Sequence, residues 1–481
     1  MKRILVLLLS MVLLLPLTAQ GETTMVTRTK SYYTEIIKNE VAAIKKCALS
    51  NGAIGMYEPS WSFTDVKYLP VADGVEPTVY GVWKYIKVNP YFSDSAVYGL
   101  MMADRTLSTT EGKSTAKAYI EWYVSVMNTK ESDICGVAGT VYDYYVFESK
   151  DGQCVNVSVK DATDAKYTSQ KNPNDYDSTD SYASLMFDLI KLYIQTYGND
   201  FGFDVKSVTD TLLGVINSVY IKSLDLTIAK PNYPICYLMD NCEVYYGLQS
   251  AEAIYRDILG DATKADECAD MAQKIKNAIL TKLWNESAGC YVAGVSDTGK
   301  SVYNLDTTVF YPQGTAQVFP IIFGLYDKTD TKAISTYDKF IKTFGEKWLA
   351  GSTDSFPWCM LVRACIAMED YETATKFIDN INVKYSKWAH TSPYYCAEAG
   401  NTLAAAAFIY TIASDDTEGS ETESEESAKA VSEQSKDGIS SQNSESDSQK
   451  DGGLPIVPIV LGAVAVIAIS TAVIIIKKKK K

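Results

Sequence analysis

Between Ser31 and Ala413, apolar residues recur every three or four positions, the spacing of amphipathic helices. The pattern predicts twelve helices, over 31–49, 94–108, 113–128, 179–197, 204–223, 240–259, 261–284, 312–326, 331–347, 356–369, 371–385 and 396–413. Many neighbours are joined by very short turns, such as Gly260 and Asp370, and short turns join antiparallel helices. The segment 240–259 shows the logic. Val244, Leu248, Ala251, Tyr255 and Leu259 form one apolar stripe, Gly260 stops the helix, and Asp261 caps the next. That next helix is rich in Lys, Asp and Glu, which predicts an outer helix laid on an inner one. Leu403 to Ile412 is apolar almost throughout, so the last helix is expected to be enclosed on most sides.

Two long stretches, 50–93 and 129–178, interrupt this periodicity with Gly, Tyr, Asp and Val. They predict loops and small hairpins over one end of the helical domain. Residues 140–148 and 153–159 predict a two-stranded ribbon that turns at Asp151-Gly152. Connections of this length in a compact domain usually carry function.

The ends of the chain follow other rules. Lys2 and Arg3 precede an apolar run, Ile4 to Leu17, and small residues follow it, which is the pattern of a secretory signal over 1–21. Residues 454–476 contain no charge and, as a helix, span roughly 34 Å, enough for a bilayer core. Five lysines follow, 477–481, which assigns that end to the cytoplasm and the rest to the outside. Residues 415–453 carry twelve acids and three lysines among Ser, Thr and Gln, too little apolar surface to offset ordering, so a disordered stalk is expected. The expectation is a single-pass cell-membrane protein with a large extracellular domain over 22–414 and the membrane as a partner.

Composition narrows the chemistry of that domain. Of the formal charge of −14, the signal holds +2, the tail +5 and the stalk −9, leaving −12 for residues 22–414. No basic patch stands out, so no nucleic-acid partner is expected. A single histidine, His390, excludes a multi-histidine metal site, and neither a metal nor a cofactor is implied. Ten cysteines permit disulfides in an exported chain, or free thiols, and no C-x-x-C spacing signals redox or zinc chemistry. The 34 tyrosines mostly build a helical core, but clusters such as Tyr142, Tyr144, Tyr145 and Tyr394, Tyr395 also suit a cleft that packs on sugar rings.

Three local sequences mark loop-to-helix junctions: Asp177-Ser-Thr-Asp180-Ser-Tyr182, Met239-Asp-Asn-Cys-Glu-Val-Tyr-Tyr-Gly-Leu248 and Leu305-Asp-Thr-Thr-Val-Phe-Tyr-Pro-Gln-Gly-Thr-Ala-Gln317. With twelve helices in six antiparallel pairs, the chain resembles the six-hairpin glycosidase superfamily over most of residues 31–413. The resemblance implies an all-α (α/α)6 barrel, a double ring of six helical hairpins with long loops and a small β-ribbon. It also implies glycoside hydrolysis by two carboxyl groups, one protonating the leaving oxygen and the other activating water. By topology, Glu243 and Glu398 match the acid and base of glucoamylase-like barrels. Asp180, Asp240, Asp306, Tyr311, Gln313, Tyr394 and Tyr395 are the expected contacts to a carbohydrate substrate. Trp61, Trp83 and Trp358 suit either stacking on sugars or the core. Other roles stay open: Asp240 and Glu243 also read as a capping box, and Asp180 as a helix cap. A noncatalytic glycan-binding or structural surface protein is the alternative function. A polysaccharide lyase fits less well, because an acidic domain repels a polyanion.

Overall fold

The computed structural model describes residues 28–59, 61–64, 81–160, 176–385 and 393–416. The signal segment, nearly all of the stalk, the apolar span 454–476, the lysine tail and His390 lie outside the described residues, as do the side chains of Trp61 and Trp83. The chain divides into a unit ending at Ser414 and another beginning at Asp415, and every element below belongs to the first.

In chain order the elements are α1 (Lys30–Cys47), β1 (Trp61–Thr64), β2 (Gly81–Val88), α2 (Pro90–Leu107), α3 (Lys113–Ser125), β3 (Tyr144–Ser149), β4 (Cys154–Ser158), α4 (Thr179–Tyr197) and α5 (Val205–Val219). Short strands β5 (Tyr220–Ile221), β6 (Leu226–Thr227) and β7 (Ile235–Tyr237) lead into α6 (Leu238–Ala253). Then come α7 (Ala262–Lys282), strands β8 (Trp284–Asn285), β9 (Cys290–Tyr291) and β10 (Gly294–Ser296), α8 (Phe319–Ile322), α9 (Thr331–Leu349), α10 (Val362–Ala367), α11 (Tyr371–Tyr385) and α12 (Cys396–Ile412).

Helices of even number touch in a closed order: α2 meets α4, α4 meets α6, α6 meets α8, α8 meets α10, α10 meets α12, and α12 meets α2. Those of odd number flank this ring, with α3 against α2 and α4, α7 against α6, and α1 against α12. The arrangement is consistent with the expected (α/α)6 barrel. Burial follows the sequence pattern. The helix α12 is buried at nearly every position from Cys396 to Ala407, whereas α7 buries one stripe, Ala265, Cys268, Ala272, Ile275, Ala278 and Ile279. Within the ring, two helix pairs approach backbone to backbone. A Cβ on Gly400 of α12 would lie 2.2 Å from the Ser95 carbonyl oxygen of α2, and one on Gly247 of α6 would lie 2.5 Å from that of Ser184 on α4.

Long connections lead into the even-numbered helices and short turns lead out of them. The N-termini of the inner helices therefore gather at one end of the ring, with the loops that precede them. The two long loops do more there than the expected ribbon. The strands β1, β2, β3 and β4 form one antiparallel sheet in that order, with Ile86 of β2 opposite Val146 of β3. Two predicted helices are also cut short. Over 312–326 there is a π turn, Phe310–Gly314, followed by the four-residue α8, because Pro312, Gly314, Pro320 and Gly324 supply breakers. Over 356–369 the chain enters through Trp358 in the left-handed conformation (φ 58°) and a 3₁₀ turn, Cys359–Leu361, before α10. At α2 the helix begins earlier than predicted: Asn89 caps it, accepting the Phe92 N–H at 3.2 Å, and Pro90 fills the first position. Among the ten cysteines all are free thiols.

Candidate functional site

The starts of α4, α6 and α12 bring four carboxyl groups, Asp180, Asp240, Glu243 and Glu398, into the gathered end of the ring, and the start of α2 adds Tyr91. Asp180, in the first turn of α4, is fully buried. Its Oδ1 accepts the Ser178 hydroxyl at 2.6 Å and the Ser181 N–H at 2.9 Å, and its Oδ2 accepts the Thr227 hydroxyl at 2.7 Å. Asn241 of α6 in turn fixes Thr227 by accepting its N–H at 2.8 Å. Burial raises Asp180 to about 6, against the pull of its three donors.

Asp240 stands in the first turn of α6 and is partly exposed. Its Oδ2 lies 3.4 Å from Ser178 Oγ. Burial, and then the charges of Asp180 and Glu243, push its pKa well above the usual carboxylate range. Glu243 is one turn further on and 1% exposed. Its Oε1 accepts the Tyr91 hydroxyl at 2.7 Å. Burial lifts Glu243 to about 7, with Asp180 adding to the rise and Tyr91 opposing it. The capping-box alternative for this pair fails, because Tyr237 occupies the cap without a side-chain bond and Glu243 is turned to Tyr91.

Glu398, at the start of α12, is 4% exposed and accepts the Cys359 backbone N–H at 2.6 Å. Burial raises it to about 7 against that bond. Glu243 and Glu398 share no hydrogen-bond partner among the described residues. They are linked through α2: the Tyr91 hydroxyl that holds Glu243 also reaches Met360 Sδ at 3.8 Å, next to the Cys359 that holds Glu398.

Beside these acids runs a wall of aromatic rings. Tyr57 packs on Tyr395 at 5.0 Å between centroids, Tyr395 stacks on Phe92 at 5.3 Å, Phe92 meets Phe356 at 6.4 Å, Phe356 stacks on Trp358 at 4.8 Å, and Trp358 meets Tyr311 at 5.0 Å. All but Tyr395 are partly exposed. The wall ends at the acids: after burial, the charges of Asp177 and Asp240 are the chief causes that raise the Tyr311 phenol. Tyr237, just before α6, is flanked by Tyr233 and Tyr303 with hydroxyls 3.3 Å away on each side.

The other expected contacts separate. Tyr311 and Tyr395 stand in the wall. Tyr394 is buried behind α12, its hydroxyl 3.2 Å from Glu40 Oε1 and 3.0 Å from Thr402 Oγ1. Asp306 lies in an exposed turn and accepts the N–H and hydroxyl of Thr308 at 3.0 and 2.6 Å. Gln313 gives its backbone carbonyl to Gln317, and its own side-chain oxygen is buried without a partner among the described residues. Sequence reasoning missed Tyr91, Phe92, Ser178, Thr227 and Phe356. Asn89-Pro90 was the available signal for the first two, since a cap followed by proline moves the helix start to them.

Neither a protein-family profile nor a curated protein sequence matches this chain. Solved structures resemble it at low identity. A wild-type glycosidase is 10% identical, with 80% of this chain and 98% of that one covered, at a TM-score of 0.49. A GH76 alpha-mannanase from Bacteroides thetaiotaomicron is 13% identical over 79% of this chain and 97% of its own, at 0.44. A rhamnosidase from Klebsiella oxytoca with rhamnose bound is 11% identical over 80% of this chain and 64% of its own, also at 0.44. At these identities and scores the likenesses establish neither an activity nor a substrate for this chain.

Proposed function

We propose that this chain is a membrane-anchored extracellular glycoside hydrolase with the (α/α)6 architecture, acting on neutral oligo- or polysaccharide by a two-carboxylate, inverting mechanism. One observation carries the reading: carboxyl groups from the starts of α4, α6 and α12 converge with a wall of partly exposed aromatic rings at the same end of a helical ring. Flat apolar faces with polar edges suit sugar rings, and carboxyls whose pKa values rise to about 6 and 7 suit proton transfer near neutral pH. In this reading one carboxyl at the start of α6, Glu243 or its neighbour Asp240, gives a proton to the leaving oxygen, and Glu398 takes one from water. The −12 charge of residues 22–414 favours neutral glycans over polyuronates.

The test is reducing-sugar release by the purified full chain on a panel of neutral and acidic glycans, beside the double variant Glu243→Gln, Glu398→Gln. Release from neutral glycans by the unaltered chain alone supports the reading. Equal release by both keeps the enzyme and discards these two residues. The near-complete burial of Glu243 and Glu398 favours the alternative, a noncatalytic glycan-binding protein. Glycan binding without release by either form decides for that alternative.

A further inference from the structure

Asp180, Asp240 and Glu243 stand close enough that the charges of Asp180 and Glu243 both bear on Asp240. Three carboxylates so placed do not all ionise without cations among them, and among the described residues none of the three has an ion-pair partner, although the charge of Arg363 bears on Glu243 and favours its ionised form. Their hydrogen-bond donors are unequally shared. Asp180 has three: the Ser178 hydroxyl, the Ser181 N–H and the Thr227 hydroxyl. Glu243 has the Tyr91 hydroxyl at 2.7 Å. Among the described residues Asp240 meets only Ser178 Oγ, at 3.4 Å.

Serine carries one hydroxyl hydrogen. That of Ser178 belongs to Asp180, 2.6 Å away. What Ser178 Oγ has left is lone pairs, one of which takes the Ser181 N–H at 3.4 Å. With Asp180 ionised and taking that hydrogen at 2.6 Å, Ser178 can only accept across its longer, 3.4 Å contact to Asp240. The contact between Asp240 Oδ2 and Ser178 Oγ is thus a hydrogen bond when Asp240 holds the proton, and a repulsion between lone pairs when it does not. Asp240 is also the only one of the three that is partly exposed, while Asp180 and Glu243 are buried. The aromatic wall, which is independent of these bonds, ends at Tyr311, whose phenol senses the charges of Asp177 and Asp240. The titratable groups facing Asp240 are Asp177 and Asp180 before and within α4, Glu243 and Cys242 on its own helix, Cys236 just before it, and the phenols of Tyr91, Tyr303 and Tyr311, which sense its charge. None of them supplies positive charge.

We propose that Asp240, rather than Glu243, is the proton donor, with Ser178 and Asp180 holding it in its acid form. This rests on the hydrolase reading above. In the step, the Asp240 O–H bond breaks as the glycosidic oxygen takes the proton, and the C1–O bond breaks with its electron pair going to that oxygen. The oxygen of a water molecule bonds to C1 and its proton passes to the second carboxylate. Asp240 then regains a proton from solvent and the second carboxyl returns one, so each bond cleaved consumes one water.

Two measurements on the full chain test this. Asp240→Asn keeps the size and a donor toward Ser178. Its rate on the glycan that the unaltered chain cleaves is expected to fall by about 10²–10⁴-fold, the usual share of general acid catalysis. Its rate on the matching glycosyl fluoride, taken from a set of α- and β-glucosyl and mannosyl fluorides, is expected to stay within a few-fold, because fluoride leaves without a proton. Equal loss on glycan and fluoride, or the same split in Glu243→Gln but not in Asp240→Asn, overturns the assignment. The second measurement needs no activity. An infrared difference spectrum of unaltered chain minus Asp240→Asn at neutral pH should show a protonated carboxylic acid. Its absence also overturns the proposal. Its presence in a chain that cleaves no glycan and no fluoride would leave the proton on Asp240 and defeat the hydrolase reading instead.

Discussion

Single buried acids set the pH behaviour of this fold. Glu40 on α1 lies under Tyr394, and burial lifts it to about 8 despite that tyrosine's hydrogen bond. Glu243 and Glu398 rise to about 7 and Asp180 to about 6. Each is raised above its unfolded value near 4, so between those values the folded chain binds more protons than the unfolded chain. Stability is therefore fully present below about pH 4 for these groups and is lost as pH rises through 6 to 8, at up to about 1.4 kcal/mol per pH unit for each group. Thermal melts from pH 5 to 8 should show Tm falling. Glu40→Gln keeps an acceptor for Tyr394 and should flatten the fall, raising Tm at pH 8 more than at pH 5. A Tm that rises with pH, or an unchanged slope in the variant, would show that Glu40 ionises freely in the fold. The sequence named the acids at the starts of α4, α6 and α12 but not Tyr91 or Ser178, the groups that set their protonation. Those partners come from other helices or from a loop, and helical spacing carries no information about which side chain crosses a cleft.

The twelve expected helices each have a counterpart in the structure, because the 3.6-residue stripe is local and survives whatever packs on it. What was not legible is long-range. The strand β2 pairs with β3, some sixty residues on, and no local pattern in 50–93 or 129–178 announces that partner. The helices α8 and α10 were over-extended, because apolar runs such as Phe319 to Leu325 keep the helical period through residues that break the helix. Close packing of α2 on α12 was also invisible, though it leaves a mark in Gly99 and Gly400. A Cβ on Gly99 would fall 2.3 Å from the Gly400 carbonyl oxygen, and backbone cannot give way as a flexible side chain can. Gly400→Ala should cost about 1–3 kcal/mol in denaturant unfolding, the usual penalty of an overpacked core. Gly198→Ala meets no atom within 4 Å but has φ of +84°, so its loss would be backbone strain alone. A Gly400→Ala variant as stable as the original would mean that the two inner helices separate without penalty.

At the scale of the whole molecule, the first and last helices of the ring close on each other. The Lys30 N–H donates to the Ser414 carbonyl at 3.0 Å, and Thr29 pairs with Ser414 as a parallel bridge. α1 begins and α12 ends where the turns between helices are short, at the end of the ring opposite the acids and the aromatic wall. Ser414 thus stands at the end of the ring away from the acids. None of the helices among the described residues is long and apolar enough to cross a membrane. Anchoring in the proposed function therefore depends on 454–476 alone, whose 23 uncharged residues and following lysines satisfy both length and orientation rules. The full chain should sediment with membranes, resist release by high salt, which removes proteins held by charge, and be freed by detergent. A chain ending at Gly453 should be recovered in the soluble fraction with the same glycan activity. Release of the full chain by salt, or membrane retention of the shortened one, would assign the attachment to the acidic ring or its partners. Loss of activity on shortening would mean that residues beyond 453 contribute to the site, which nothing in the geometry of the ring requires.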